Sequence, residues 1–157
     1  MFIGQYQHNI DDKGRLVLPT KYRDKIGKGS IITIGFEGCL TIYPESEYTK
    51  RILEQQKLIS EMHFKNSVSF LAGSYDKEQF YEMAKGSASE AEFDKQGRIK
   101  IPAHLIRHAH LEKECVIVGL NSVIEVWALD RWKEIEENGK NSFEELAENI
   151  SGYDFKE

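Results

Sequence analysis

The sequence predicts an α+β protein, mainly β with short helices, built as two copies of one small unit. Three observations carry that expectation. The pentapeptides Asp11-Asp12-Lys13-Gly14-Arg15 and Asp94-Lys95-Gln96-Gly97-Arg98 restate one turn, and such self-similarity is the mark of a repeated unit. Each is followed by an alternating aliphatic run that ends in proline, RLVLP and RIKIP. Each copy then carries two short runs rich in Val, Ile and Thr, SIITIG with CLTIY and CVIVG with VIEVW, the composition of strands.

Within each copy the elements follow in the order strand, turn, strand, short helix, strand, strand, helix. QYQHNI alternates and ends at the first turn, where Gly14 supplies a positive φ without a Cβ penalty; Gly97 does the same in the second. Period two sends Leu16, Leu18, Ile99 and Ile101 to a core and leaves Arg15, Val17, Arg98 and Lys100 facing outward. Pro19 and Pro102 suit the first position of a helix, where a missing N–H costs nothing, and TKYRDKI and AHLIRHAHL continue with helical spacing. The apolar strand pairs are expected to turn at glycine-containing corners. Ser46 and Asp130 read as N-caps of the helices EYTKRILEQQKLI and RWKEIEEN.

A shift of 83 residues places Asp11 on Asp94, Gly14 on Gly97, Arg15 on Arg98 and Pro19 on Pro102. After one inserted residue, Gly35 meets Gly119, Tyr43 meets Trp127 and Tyr48 meets Trp132. The expected organisation is a first unit over residues 1–60, a connecting segment over 61–85, a second unit over 86–140 and an acidic tail over 141–157. The connecting segment lacks a Pro/Gly/Ser signature and reads as packed chain. Units this small bury only about 60% of their unfolded surface, so they are expected to lean on each other and on further copies of the chain.

Of the 157 residues, 40% are hydrophobic and 30% charged, and no apolar run approaches the roughly 18 residues of a membrane span. The start of the chain has no basic, apolar and cleavage regions in series, so a cytoplasmic protein is expected. Cys39 and Cys115 sit in apolar strand contexts without CxxC spacing and read as small buried thiols. The net charge of −5 is all in residues 133–157, where three basic residues face eight acidic ones. The preceding 132 residues balance, 18 basic against 18 acidic, and hold a basic patch: Lys13, Arg15, Lys21, Arg23, Lys25 and Lys28 against Asp24 alone. That asymmetry suits phosphate binding.

These paired D-x-x-G-R turns, each leading into an aliphatic strand and a proline, together with GFEGCLTIYP and VIVGLNSVIEVW, closely resemble the MraZ family over residues 1–135 or so. The resemblance implies tandem AbrB-like (SpoVT-AbrB) swapped-hairpin modules that form a pseudo-two-fold, barrel-like unit. It implies a DNA-binding transcription regulator, a ring-like homo-oligomer, acting at promoter repeats of the division and cell-wall gene cluster, and hence a nucleoid-associated protein. It assigns the D-x-x-x-R element to Asp11 with Arg15 and to Asp94 with Arg98. The copies differ beside it: Lys13 precedes Gly14 where Gln96 precedes Gly97, and Lys95 stands where the first copy has Asp12.

Arg15 and Arg98 are thus the expected base or phosphate contacts, with Asp11, Gly14, Asp94 and Gly97 shaping their turns. Lys13, Lys21, Arg23, Lys95, Lys100 and Arg107 read as phosphate contacts, which position a protein without specifying sequence. The plainer alternative for each arginine is an ion pair across its own turn. The two can coexist, because a carboxylate orients one edge of a guanidinium and leaves the other free. Tyr48, Trp127 and Trp132 read as packing residues, since their places are matched between copies. His104 and His108 share a helical face near His110, but no carboxylate or cysteine completes a ligand set, so no metal is expected. No nucleophile elbow, P-loop or dinucleotide fingerprint is present, and neither catalysis nor a cofactor is expected. The rival reading is a non-DNA oligomeric scaffold whose arginines serve subunit contacts.

Overall fold

The structure is a computed structural model that describes residues 1–54 and 83–151. In the first copy, β1 (Phe2–Asn9) enters the Asp11–Arg15 turn and β2 (Arg15–Val17) leaves it. A helix over Thr20–Ile26, β3 (Ile31–Ile34), a 3-10 turn over Phe36–Gly38 and β4 (Leu40–Tyr43) follow, and residues 45–54 are helical. Residues 83–87 are helical and lead to β5 (Ser89–Glu90), β6 (Arg98–Lys100), a helix over Ala103–His108, β7 (Glu114–Asn121), β8 (Val123–Ala128) and a long helix over Leu129–Ser151. The expected packed segment over 61–85 lies outside the described residues as far as 82, and so does the end of the expected helix EYTKRILEQQKLI.

The copies exchange strands. One antiparallel sheet runs β1-β7-β8-β4-β3-β5, so the first strand of each copy lies on the outer edge of the other copy's hairpin. β4 and β8, the last strand of each copy, meet in the middle, with Ile42 opposite Ile124 and Leu40 opposite Val126. A separate ribbon pairs β2 with β6, Leu16 opposite Ile99. This is the swapped, pseudo-two-fold arrangement of an α+β protein. The sheet is not closed, because β1 and β5 are its two edges; the expected barrel-like closure is not made by this sheet. β5 is only two residues long, against eight in β1, and offers little ladder for a further strand.

Alternation sorts the core. One face of the sheet sends Ile32, Ile34, Leu40, Ile42, Ile117, Ile124 and Val126 against Leu16, Leu18, Ile99 and Ile101 of the ribbon and Tyr22, Ile26 and Leu105 of the two short helices. The outward-expected and inward-expected ribbon positions are all as the period-two reading required: Leu16 and Ile99 are fully buried, while Arg15, Val17, Arg98 and Lys100 keep solvent contact. The other face of the sheet carries Cys39, Val116, Val118 and Trp127, covered by Leu129, Trp132 and Ile135 of the long helix. Both thiols are buried and free, and burial pushes Cys115 up to about 11 and Cys39 higher still, so neither is poised for chemistry.

Local details depart from expectation for identifiable reasons. Pro19 and Pro102 occupy the N-cap, not the first helical position, with extended ψ of 139° and 147°. Their carbonyls still start the helices, accepting the N–H of Tyr22 and Arg23 and of Leu105 and Ile106. Ser46 lies inside the 45–54 helix and Asp130 inside the first turn of the long helix, so neither is a cap; the helices start earlier, directly after Pro44 and β8. The β7–β8 corner is made by Asn121 at φ 62° and not by a glycine, Asn being the side chain most tolerant of that region after glycine. Gly119 instead sits within β7. The long helix also passes through Gly139 and across the expected boundary at residue 140, so residues 141–151 continue the helix.

Candidate nucleic-acid interface

The two turns are built alike, bond for bond. In the first, the Asp11 carboxylate accepts the backbone N–H of Lys13 at 3.0 Å and of Arg15 at 2.9 Å, and Arg15 Nε at 2.7 Å. In the second, Asp94 accepts Gln96 N–H at 2.9 Å, Arg98 N–H at 2.9 Å and Arg98 Nε at 2.7 Å. Gly14 and Gly97 close the turns at φ 77° and 76°, each donating its N–H to the aspartate carbonyl at 3.0 Å. The backbone N–H of Arg15 is the main cause that holds the Asp11 carboxyl below the ordinary carboxylate range. Arg98 does the same to Asp94.

The carboxylates therefore engage both arginines by Nε alone. Among the described residues, no hydrogen bond occupies the Nη edge of either guanidinium, and both side chains are part-exposed, 31% for Arg15 and 25% for Arg98. Solvent screens an ion pair this exposed, so its main effect is orientation. The plainer reading and the functional one are present together.

The ribbon brings the two arginines to one surface. Arg15 stands opposite Lys100 and Arg98 opposite Val17. Residues directly opposite in an antiparallel pair share a face, so Arg15, Val17, Arg98 and Lys100 form its outer side. Lys13 and Lys95 are exposed in the flanking turns. Lys100 reaches back to the first turn, where its Nζ donates to the Lys13 carbonyl. A two-stranded ribbon of this kind is narrow enough to enter the major groove of B-form DNA, and guanidinium groups are suited to phosphates and guanine edges.

The remaining expected contacts are placed differently. Lys21 Nζ stands 5.0 Å over the Tyr6 ring, held by a cation–π contact on the helix flank. Arg23 lies across the second turn: its Nη1 is 1.7 Å from the point where a Cβ on Gly97 would stand, and its Nη2 donates to Thr20 Oγ1 at 2.8 Å. Arg107 is exposed on the last turn of its helix, and among the described residues no hydrogen bond or ion pair ties it to the ribbon. Two residues at the site escaped the sequence reading: Thr20, which holds Arg23, and Ile106, whose Cδ1 is 3.0 Å from the point where a Cβ on Gly14 would stand. The 83-residue shift contained the signal for the second, because it lays Arg23 on Ile106.

The matched aromatics are packing residues, as read. Tyr43 and Tyr48 lie 5.6 Å apart at 58°, Trp127 and Trp132 5.8 Å apart at 58°, one geometry at two equivalent places. His104 Nε2 hydrogen-bonds the Ser87 carbonyl at 2.9 Å. Burial, with some repulsion from His110, lowers the pKa of His108. Among the described residues, no group of three or more His, Cys, Asp or Glu is placed to hold a metal ion.

The sequence profile of the family described as "MraZ protein, putative antitoxin-like" matches residues 1–70 and 84–152, once for each copy. The chain belongs to the MraZ family. MraZ proteins from several bacteria are similar to it over nearly their whole length. One from Lactobacillus delbrueckii subsp. bulgaricus is 44% identical over 150 residues, which is 96% of each chain. One from Heliobacterium modesticaldum is 40% identical over 98% of this chain and 99% of that protein. One from Lachnoclostridium phytofermentans is 37% identical over 98% and 97%. All three are named transcriptional regulator MraZ. In this member of the MraZ family, both D-x-x-x-R elements are intact and built with the same hydrogen bonds. No helix among its described residues is long and apolar enough to cross a membrane.

Proposed function

We propose that the protein regulates transcription by binding double-stranded DNA at repeats upstream of the division and cell-wall gene cluster. The reading rests on one observation: Arg15 and Arg98 share the outer face of the β2–β6 ribbon, each gripped by Nε, with no hydrogen bond on its Nη edge among the described residues. A guanidinium fixed on one side and free on the other is set up to contact a phosphate or a guanine at little further entropic cost. Asp11, Gly14, Asp94 and Gly97 shape the turns, and Lys13, Lys95 and Lys100 add phosphate contacts around them.

One ribbon with two arginines would hold DNA weakly. We propose the ring-like homo-oligomer as the remedy, since linked copies convert each later contact into an intramolecular one. In this reading residues 1–60 and 86–140 are the two DNA-facing units, the protein acts in the cytoplasm on the nucleoid, and it neither catalyses a reaction nor carries a cofactor. A gel shift with the region upstream of the chain's own gene tests it. Arg15→Ala and Arg98→Ala should each weaken the specific complex strongly, while gel filtration reports an unchanged assembly. Loss of the assembly, or undiminished DNA binding in both variants, would favour the scaffold reading.

A further inference from the structure

The strand exchange does more than close the core: it carries a cation from each copy to the turn of the other. Lys100, from β6 of the second copy, donates its Nζ to the Lys13 carbonyl in the first turn and stands opposite Arg15. Arg23, from the helix of the first copy, lies against Gly97 in the second turn, beside Arg98. Among the described residues, no carboxylate pairs with Arg23. Its Nε is buried without a hydrogen-bond partner, so the charge is only partly answered by Thr20.

Pseudo-symmetry makes the exchange unequal. The position equivalent to Arg23 is Ile106, which packs over Gly14 and brings no charge, and the position equivalent to Lys100 is Val17. The first pentapeptide, DDKGR, is itself neutral, and Lys100 brings that site to +1. The second, DKQGR, is +1, and Arg23 brings it to +2. The first site thus pairs a guanidinium with an ammonium and the second pairs two guanidinium groups, the better fit to phosphate oxygens.

We infer that each turn is a composite site for a DNA backbone phosphate, Arg15 with Lys100 and Arg98 with Arg23, and that the second is the tighter of the two. This deepens the DNA reading above and rests on it. The two copies are then not interchangeable, and neither is a complete DNA-contacting unit without the other.

The test is a double-mutant cycle read by fluorescence anisotropy, with a labelled duplex from the region upstream of the chain's own gene. The single variants are Arg15→Gln, Arg98→Gln, Arg23→Gln and Lys100→Gln. The expected result is crossed coupling. Arg23→Gln costs little once Arg98 is already Gln, and Lys100→Gln costs little once Arg15 is already Gln. The pairs Arg23 with Arg15 and Lys100 with Arg98 should instead add to within a factor of about two. Each lost phosphate contact should lower the slope of log K against log salt by roughly 0.9, and Ile106→Arg should raise it. Thermal melts check the fold of every variant, and Arg23→Lys, which keeps the charge and loses the fork, replaces Arg23→Gln if that chain fails to fold. Additivity in all four pairs, or coupling of Arg23 to Arg15, overturns the composite sites while leaving DNA binding by the turns intact. Unchanged binding in both Arg15→Gln and Arg98→Gln removes the DNA reading and this inference with it.

Discussion

Arg23, on the helix of the first copy, crosses Gly97, in the turn of the second, with Nη1 1.7 Å and Cζ 2.3 Å from the point where a Cβ on Gly97 would stand. Gly97 also holds φ 76°, a region that costs other residues about 1–2 kcal/mol. Gly97→Ala is therefore expected to destabilise the fold by at least that amount and to displace the Arg23 side chain. In the double variant Gly97→Ala, Arg23→Ala the steric part disappears and the φ part stays. Urea melts of the single and double variants separate the two contributions, and equal stability of Gly97→Ala and the parent chain would contradict the packing described.

Asp11 and Asp94 give the turns a pH signature. Each carboxyl has a folded-state pKa held below its unfolded value of 3.8, so it contributes stability that is present above that value. The contribution is lost as pH falls through the lower folded-state pKa. Thermal melts between neutral pH and strongly acid solution should show the parent losing stability below about pH 4. The Asp11→Asn, Asp94→Asn chain should start less stable at neutral pH and lose less over the same window. Parallel curves for the two chains would show that the turn carboxylates bind no better in the folded state.

Leu16 and Ile99 face each other across the ribbon, both fully buried. Truncating either to Ala is expected to cost about 2–5 kcal/mol, because a fixed backbone on both sides leaves a cavity that neighbours fill poorly. Since each lines the other's cavity, the double variant should fall short of the sum of the singles. Chemical denaturation with a common m-value measures all three. Strict additivity would mean that the two side chains do not share one packed layer.

Much of this was legible in the amino-acid order, and the limits have physical causes. The turns, the buried faces of RLVLP and RIKIP and the matched aromatics depend on local periods and on repetition, which a single chain displays openly. The pairing of β1 with β7 and of β5 with β3 does not, because nothing local to QYQHNI distinguishes a neighbouring hairpin from a distant one. The contacts of Arg23 with Gly97 and of Lys100 with the Lys13 carbonyl follow only from that exchange, so Arg23 read as one basic residue among several. Boundary errors were of a smaller kind. Prolines at N-caps shifted two helices by one residue, and the helix expected over RWKEIEEN runs on through Gly139 to Ser151, because a glycine weakens a helix by about 0.5–1 kcal/mol without ending it.

The edge strand β1 has a consequence for how the chain is made. Phe2–Asn9 is synthesised well before β7, its ladder partner among the described residues, which ends at Asn121. The β1 segment therefore lacks this partner until residues 114–121 have been synthesised. Closure of the β1–β7 ladder is a late, long-range event in biogenesis, and a nascent chain stalled before Glu114 exposes a strand that a second nascent chain can capture.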